Sequence, residues 1–153
     1  MRGTVMLIYF GILLVVALID WDTQIIYDRF HIFILILAIA NIWLVPEHGL
    51  IDRLIGALII SVPMLLLALV IPGAFGGGDI KLMAVSGAFL GTGPVVCAMF
   101  FGLLTGGVYG AFMLKSKKLG KKDVFAFGPF LAFGLALAAL YGNQIVTWYL
   151  HFL

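Results

Sequence analysis

Leu54–Ile71 reads LIGALIISVPMLLLALVI, an apolar run with no charged side chain. As a helix rising about 1.5 Å per residue, it comes close to the roughly 30 Å of a hydrocarbon core. Asp52-Arg53 precede it and Pro72-Gly73 end it. Working outward, comparable runs cover Thr4 to Ile19, Phe30 to Val45, Leu82 to Leu90, Val95 to Leu114 and Val124 to Tyr141. Short polar marks separate them, and the aromatic tail from Asn143 to Leu153 suits a membrane interface. The pattern predicts an all-α, polytopic membrane protein with about six transmembrane helices, and residues 1–153 read as a single membrane-embedded unit.

Composition agrees. Of 153 residues, 64% are hydrophobic and 10% charged, against about 25% charged in a typical soluble domain. A soluble fold of this length needs more polar surface, and a disordered chain needs lower hydrophobicity. Cys97 is the single cysteine, which excludes an intrachain disulfide and a cysteine-based zinc site. A net charge of +2 without a basic arm excludes the usual footprint of nucleic-acid binding. The first apolar run lacks a small-residue cleavage site and reads as a retained span.

Six spans put the first, third and fifth connections on one side. These hold Arg29, Lys81, Lys115, Lys117, Lys118, Lys121 and Lys122, while Arg2 and Arg53 fall on the other. The excess marks the first side as cytoplasmic and turns both termini outward. The fourth run is short: Ile80 to Leu90 gives about 16 Å of helix. It must continue through Gly91-Thr92-Gly93 or dip and return, and dipping would move the Lys-rich loop away from Asp79. Gly102, Gly106 and Gly110, at four-residue spacing, predict close helix packing. Gly128-Pro129 predicts a kink or a helix start.

Seven acidic residues exist in the chain. Asp20, Asp22 and Asp28 cluster after the first span, and Asp79 follows Gly76-Gly77-Gly78 at the entry to the fourth. Ionisable groups at a bilayer are costly to bury and mark candidate functional sites. The bland alternative for Asp79 is a helix cap after a flexible turn; for Asp22 and Asp28 it is a solvated loop charge, and the arrangement favours that less for Asp20 and Asp79. The glycine run is not a nucleotide-binding loop, because no Gly-Lys-Ser/Thr follows. His31, His48 and His151 scatter to opposite sides, make a poor metal site and read as loop or interface residues. These residues leave three readings open: an enzyme, a small transporter with broken helices, or a non-catalytic membrane assembly protein.

Three stretches narrow the choice. Gly76-Gly77-Gly78-Asp79-Ile80-Lys81-Leu82 resembles the GxGDxKL motif of prepilin peptidases, the type IV leader peptidases of the GxGD aspartyl class. Ile19-Asp20-Trp21-Asp22 through Tyr27-Asp28 resembles that family's first aspartate motif. Phe127-Gly128-Pro129-Phe130 resembles its late FGPF segment. The resemblance runs in order from about Ile19 to Tyr141. It implies an aspartic endopeptidase of the bacterial inner membrane that removes the basic leader of type IV prepilin or pseudopilin precursors on the cytoplasmic side. It implies Asp20 and Asp79 as catalytic, with Gly76, Gly78, Lys81, Asp22 and Asp28 as supporting or substrate-binding residues, and no cofactor or metal. Tyr27 stands where the family usually has Pro. Larger members add a cytoplasmic domain with paired CxxC motifs and N-methylate the product. No such motif stands here, so the expectation is a peptidase core without that N-terminal domain, with methylation left open.

Two aspartates hydrolyse a peptide in different protonation states, sharing a proton. Asp20 ends one helix and Asp79 begins another. The helix dipoles, with Lys81 near Asp79, make Asp79 the expected base and Asp20 the acid. The two can meet only if the first and fourth spans pack side by side. Asp22, Asp28 and Asp123 are expected to attract a basic leader.

Overall fold

The computed structural model describes residues 2–117 and 126–153. The described chain is helical: α1 (Arg2–Thr23), α2 (Asp28–Leu44), α3 (Leu50–Ile59), α4 (Ser61–Val70), α5 (Gly77–Leu90), α6 (Thr92–Lys115) and α7 (Gly128–Phe152). α3 and α4 are two halves of one rod. Pro63 has no N–H for the carbonyl of Ile59, and the helix breaks at Ile60. Ser61 Oγ donates to the Ala57 carbonyl across the break. Among the described residues, four helices are long and apolar enough to cross a membrane: Gly3–Thr23, Leu50–Val70, Thr92–Lys115 and Gly128–Phe152. With α2 and α5 this makes six rods, an all-α polytopic bundle.

Apolar side chains cover its outside: Leu14, Leu18, Ile36, Leu66, Leu69 and Phe100 are exposed. Such a surface is unfavourable in water and suits lipid. The interior relies on small residues. α6 and α7 form an antiparallel pair in which Gly102 lies against Leu131, Gly106 against Phe127, Gly134 against the Ala98 carbonyl and Gly142 against Pro94. Gly102 and Gly106 thus pack as their spacing predicts. α3 and α5 meet backbone to backbone, Gly56 facing the carbonyl of Gly87 and the reverse.

α5 lies at the centre, packed on α2, α3, α4, α6 and α7. It is 14 residues long, about 21 Å, and it stops at Leu90 instead of running on through Gly91-Thr92-Gly93. Gly91 takes φ +92° and leads directly into α6, a backbone conformation open to glycine. The short helix still reaches the far loop because Arg53 comes in to meet it. Arg53 is 2% exposed. Its guanidinium donates to the carbonyls of Ala88 and Phe89 at the end of α5 and of Asn41 and Val45 at the end of α2, and its Nε donates to that of His48. Asn41 Nδ2 also donates to Phe89. Positive charge and donors are what helix C-termini require. Beside it, Asp52 Oδ1 accepts from the Thr92 N–H at the start of α6.

Thr4 and Val5 lie beside Ala40 to Leu44, and Asn143 near Met6 and His48. Both described ends of the chain are therefore at this far end. The starts of α2, α5 and α7 gather at the other, together with the end of α6: Leu114 and the Gly73–Phe75 loop line one groove. The start of the Lys-rich connection thus shares an end with Asp79.

Candidate active site

Asp20 occupies the last turn of α1 and Asp79 the first turn of α5. Both are buried, 5% and 8% exposed. They come together at one end of the bundle, close enough for the charge of Asp20 to act on the Asp79 carboxyl. The helices that carry them do not pack side by side along their length. They meet through side chains, with the Tyr9 and Phe89 rings 4.4 Å apart, while α2 and α7 fill the flanks.

Each aspartate has its own setting. The Gly128 backbone N–H, the first of α7, donates to Asp20 Oδ2 at 2.8 Å. A side chain at 128 would collide with that carboxylate. Asp20 therefore ends one helix and faces the N-terminus of another, which sequence distance had hidden. Asp79 is the third residue of α5 after its N-cap Gly76, and its carboxyl is acted on by the Gly76 N–H, as a residue three positions into a helix can reach back to the cap. Its Oδ1 is buried with no hydrogen-bond partner.

The glycines before Asp79 differ in what they do. A Cβ on Gly78 would lie 2.9 Å from Ile26 Cβ, so Gly78 lets Ile26, the buried residue of an otherwise exposed α1–α2 loop, close over the start of α5. A Cβ on Gly76 would make an ordinary 3.5 Å contact with Asp79 Oδ2, and one on Gly77 would meet open space. The α1–α2 loop is set by Gln24, which closes α1 at φ +56° with its N–H on the Asp20 carbonyl at 2.8 Å. Tyr27 has φ −71°, within the range a proline ring would impose.

The other expected residues flank the pair. Lys81 Nζ lies 3.0 Å from Asp28 Oδ1, an exposed ion pair that ties the start of α5 to the start of α2. It is bound to Asp28, not held out as a neighbour of Asp79 alone. Asp22 is exposed on the last turn of α1. Asp123, with Lys118, Lys121 and Lys122, lies outside the described residues.

His31 is not the loop or interface residue expected: it is 5% exposed and its Nε2 lies 2.9 Å from the carbonyl oxygen of Gly78. Periodicity could have found it, since His31 shares a face with the buried Ile34 and Ala38. Among the described residues no three His, Cys, Asp or Glu gather to hold a metal. An apolar groove of about 520 Å³ lies beside the pair, lined by Gly73, Phe75, Leu103, Gly106, Gly110 and Phe127. The Phe75 and Phe127 rings are 5.9 Å apart, and their chain neighbours Gly76 and Gly128 are the residues that touch Asp79 and Asp20.

Two buried carboxyls thus stand where several helix ends meet, inside a polytopic membrane bundle. The chain belongs to the type IV leader peptidase family, whose model matches residues 7–111. It is similar to a Prepilin leader peptidase/N-methyltransferase of Bacillus subtilis (strain 168), 34% identical over 94% of this chain and 58% of that protein. It is also similar to one of Pseudomonas aeruginosa, 31% identical over 98% of this chain and 53% of that protein. The chain thus spans about half the length of the curated relatives it matches. No solved structure matches it.

Proposed function

We propose that this protein is an aspartic endopeptidase of the bacterial inner membrane that removes the leader of type IV prepilin-like precursors. Leader cleavage alone is proposed, by a membrane-embedded peptidase core whose active site faces the cytoplasm. The observation that carries the reading is the placing of Asp20 and Asp79, two buried carboxyls from distant helices, at one bundle end, against Gly128 and Gly76, whose neighbours Phe127 and Phe75 have rings 5.9 Å apart. The adjoining apolar groove suits a substrate whose cleavage site borders an apolar helix.

The reaction needs one carboxylate and one carboxylic acid. The carboxylate takes a proton from water as the water oxygen attacks the scissile carbonyl carbon. The acid donates its proton to the carbonyl oxygen. The resulting gem-diol collapses as the C–N bond breaks: one of its hydroxyls returns a proton to the carboxylate left by the acid, and the leaving amine takes up the proton held by the base. An N–H donor fixed on Asp20 suits its ionised form, whereas Asp79, although the Gly76 N–H acts on its carboxyl, leaves Oδ1 buried without a donor, a place where a proton can sit. We therefore assign Asp20 as the base and Asp79 as the acid, the reverse of what the ends of α1 and α5 suggest by themselves. Asp28 is engaged by Lys81, which leaves exposed Asp22 as the described carboxylate best placed to attract a basic leader.

The test is cleavage of a prepilin precursor by the detergent-solubilised protein. Asp20→Asn and Asp79→Asn should each lower the rate by about 10² to 10⁴-fold. Cleavage that survives both substitutions overturns the reading and favours a transporter or assembly role.

A further inference from the structure

The start of α5 is held from two sides. Ile26 closes on Gly78 from the α1–α2 loop. From α2, the imidazole of His31 approaches the Gly78 carbonyl oxygen, with Nε2 at 2.9 Å. A carbonyl can only accept, so Nε2 carries a hydrogen and donates it. The other ring nitrogen, Nδ1, is buried without a hydrogen-bond partner. It faces Asp28 Oδ1 at 3.6 Å, and that carboxylate is itself held by Lys81 from α5.

The Gly78 carbonyl belongs to the same planar peptide unit as the Asp79 amide. Fixing that oxygen fixes the plane, and the Asp79 side chain leaves the backbone at the next atom. At the carboxyl itself the Gly76 N–H acts on one oxygen and leaves Oδ1 without a partner. The backbone on which the side chain stands therefore shares in setting its orientation. Small displacements at such a pair are expensive, about 10²-fold in rate for about 1 Å.

We propose that His31 is a positioning residue for Asp79: its Nε2–H holds the Gly78–Asp79 peptide plane and thereby sets the Asp79 carboxyl against Asp20. This rests on the reading of the pair as catalytic. His31 touches neither the carboxyls nor the groove, so it acts through Asp79 and not on substrate.

The experiment compares the full chain with His31→Phe, which fills the space without a donor, and His31→Gln, whose amide nitrogen can reach the same carbonyl. With a prepilin precursor, His31→Phe should lower kcat by about 10-fold or more and leave KM within about 2-fold, and His31→Gln should recover most of the loss. Losses of equal depth in both variants, an unchanged kcat in His31→Phe, or a loss carried by KM overturns the proposal. A second readout needs no substrate. In protein with ¹³C-labelled aspartate, the Asp79 carboxyl resonance should move in His31→Phe and hold its place in His31→Gln. An unmoved resonance in His31→Phe overturns the proposal even if that variant is inactive through poor folding. A native protein that cleaves no precursor, with the resonance pattern as expected, leaves the placement intact and removes the peptidase reading.

Discussion

The Gly128 N–H donates to Asp20 Oδ2 at 2.8 Å, joining the end of α1 to the beginning of α7 across 108 positions of sequence. The bond requires that residue 128 carry no side chain, because a Cβ there would overlap the carboxylate it serves. Gly128→Ala should therefore displace Asp20 without emptying any part of the core. We expect precursor cleavage to fall by about 10²-fold, with thermal unfolding in detergent close to native. Native activity in Gly128→Ala would show that Asp20 tolerates displacement and would remove this bond from the mechanism.

Arg53 gathers five backbone carbonyls from the ends of α2 and α5 and from His48. Arg53→Met keeps much of the volume and removes every donor. The Phe89 and Asn41 carbonyls keep Asn41 Nδ2 and the Val45 N–H as donors; buried acceptors left without partners cost about 1–3 kcal/mol each, and relaxation will recover part of the sum. We expect a loss of at least about 3 kcal/mol, read as a lower midpoint in chemical or thermal unfolding. A midpoint unchanged from native would mean that water or neighbouring donors replace the guanidinium.

Asp28 stands at the exposed start of α2, ahead of its apolar run. The hydrogen bond from Lys81 holds its carboxyl below the usual carboxylate range, with the Lys81 charge adding to the effect. A group with a depressed folded value stabilises the fold above its unfolded value, and that contribution disappears as pH falls through the folded one. The native bundle should lose this increment below about pH 4. Lys81→Met should lack it at neutral pH and converge on the native protein in acid. Unfolding midpoints between about pH 6 and pH 3 check this; a constant difference across that range contradicts it. Both groups are exposed, so added salt should shrink the effect.

Tyr27 departs from the proline usual at its position in the family, yet its φ of −71° is one a proline ring adopts. Tyr27→Pro should stiffen the unfolded chain at little cost to the native loop, a gain of about 0.4–1 kcal/mol. Lower stability in this variant would reveal a hydrogen bond from the Tyr27 N–H or a clash with Ile26.

Much of this architecture is legible in the sequence because lipid-facing helices announce themselves: uninterrupted runs such as Leu54–Ile71 have few alternatives in a membrane. The Asp20 and Asp79 positions are legible because charge is scarce in this chain. What stays hidden depends on third parties. The Gly128 amide is invisible because backbone donors have no letter of their own. The spacing of His31 with Ile34 and Ala38 marks it for the buried face, but its partner, the Gly78 carbonyl, stays hidden until α2 and α5 are laid together. The break at Ile60 follows from Pro63, but one unbroken apolar run masks it. Arg53 reads as a loop charge, since nothing in the sequence says that two helix ends converge on it.

The contact of Gly56 with Gly87 carries one more consequence. Most helix crossings are cushioned by side chains, so an enlarged residue on one partner can be rescued by trimming its opposite. Here each partner is already the smallest residue there is, and each faces the other's carbonyl. A suppressor of Gly56→Ala can therefore not arise at position 87. It would have to shift an entire rod, and with it the height at which α5 presents its acidic end.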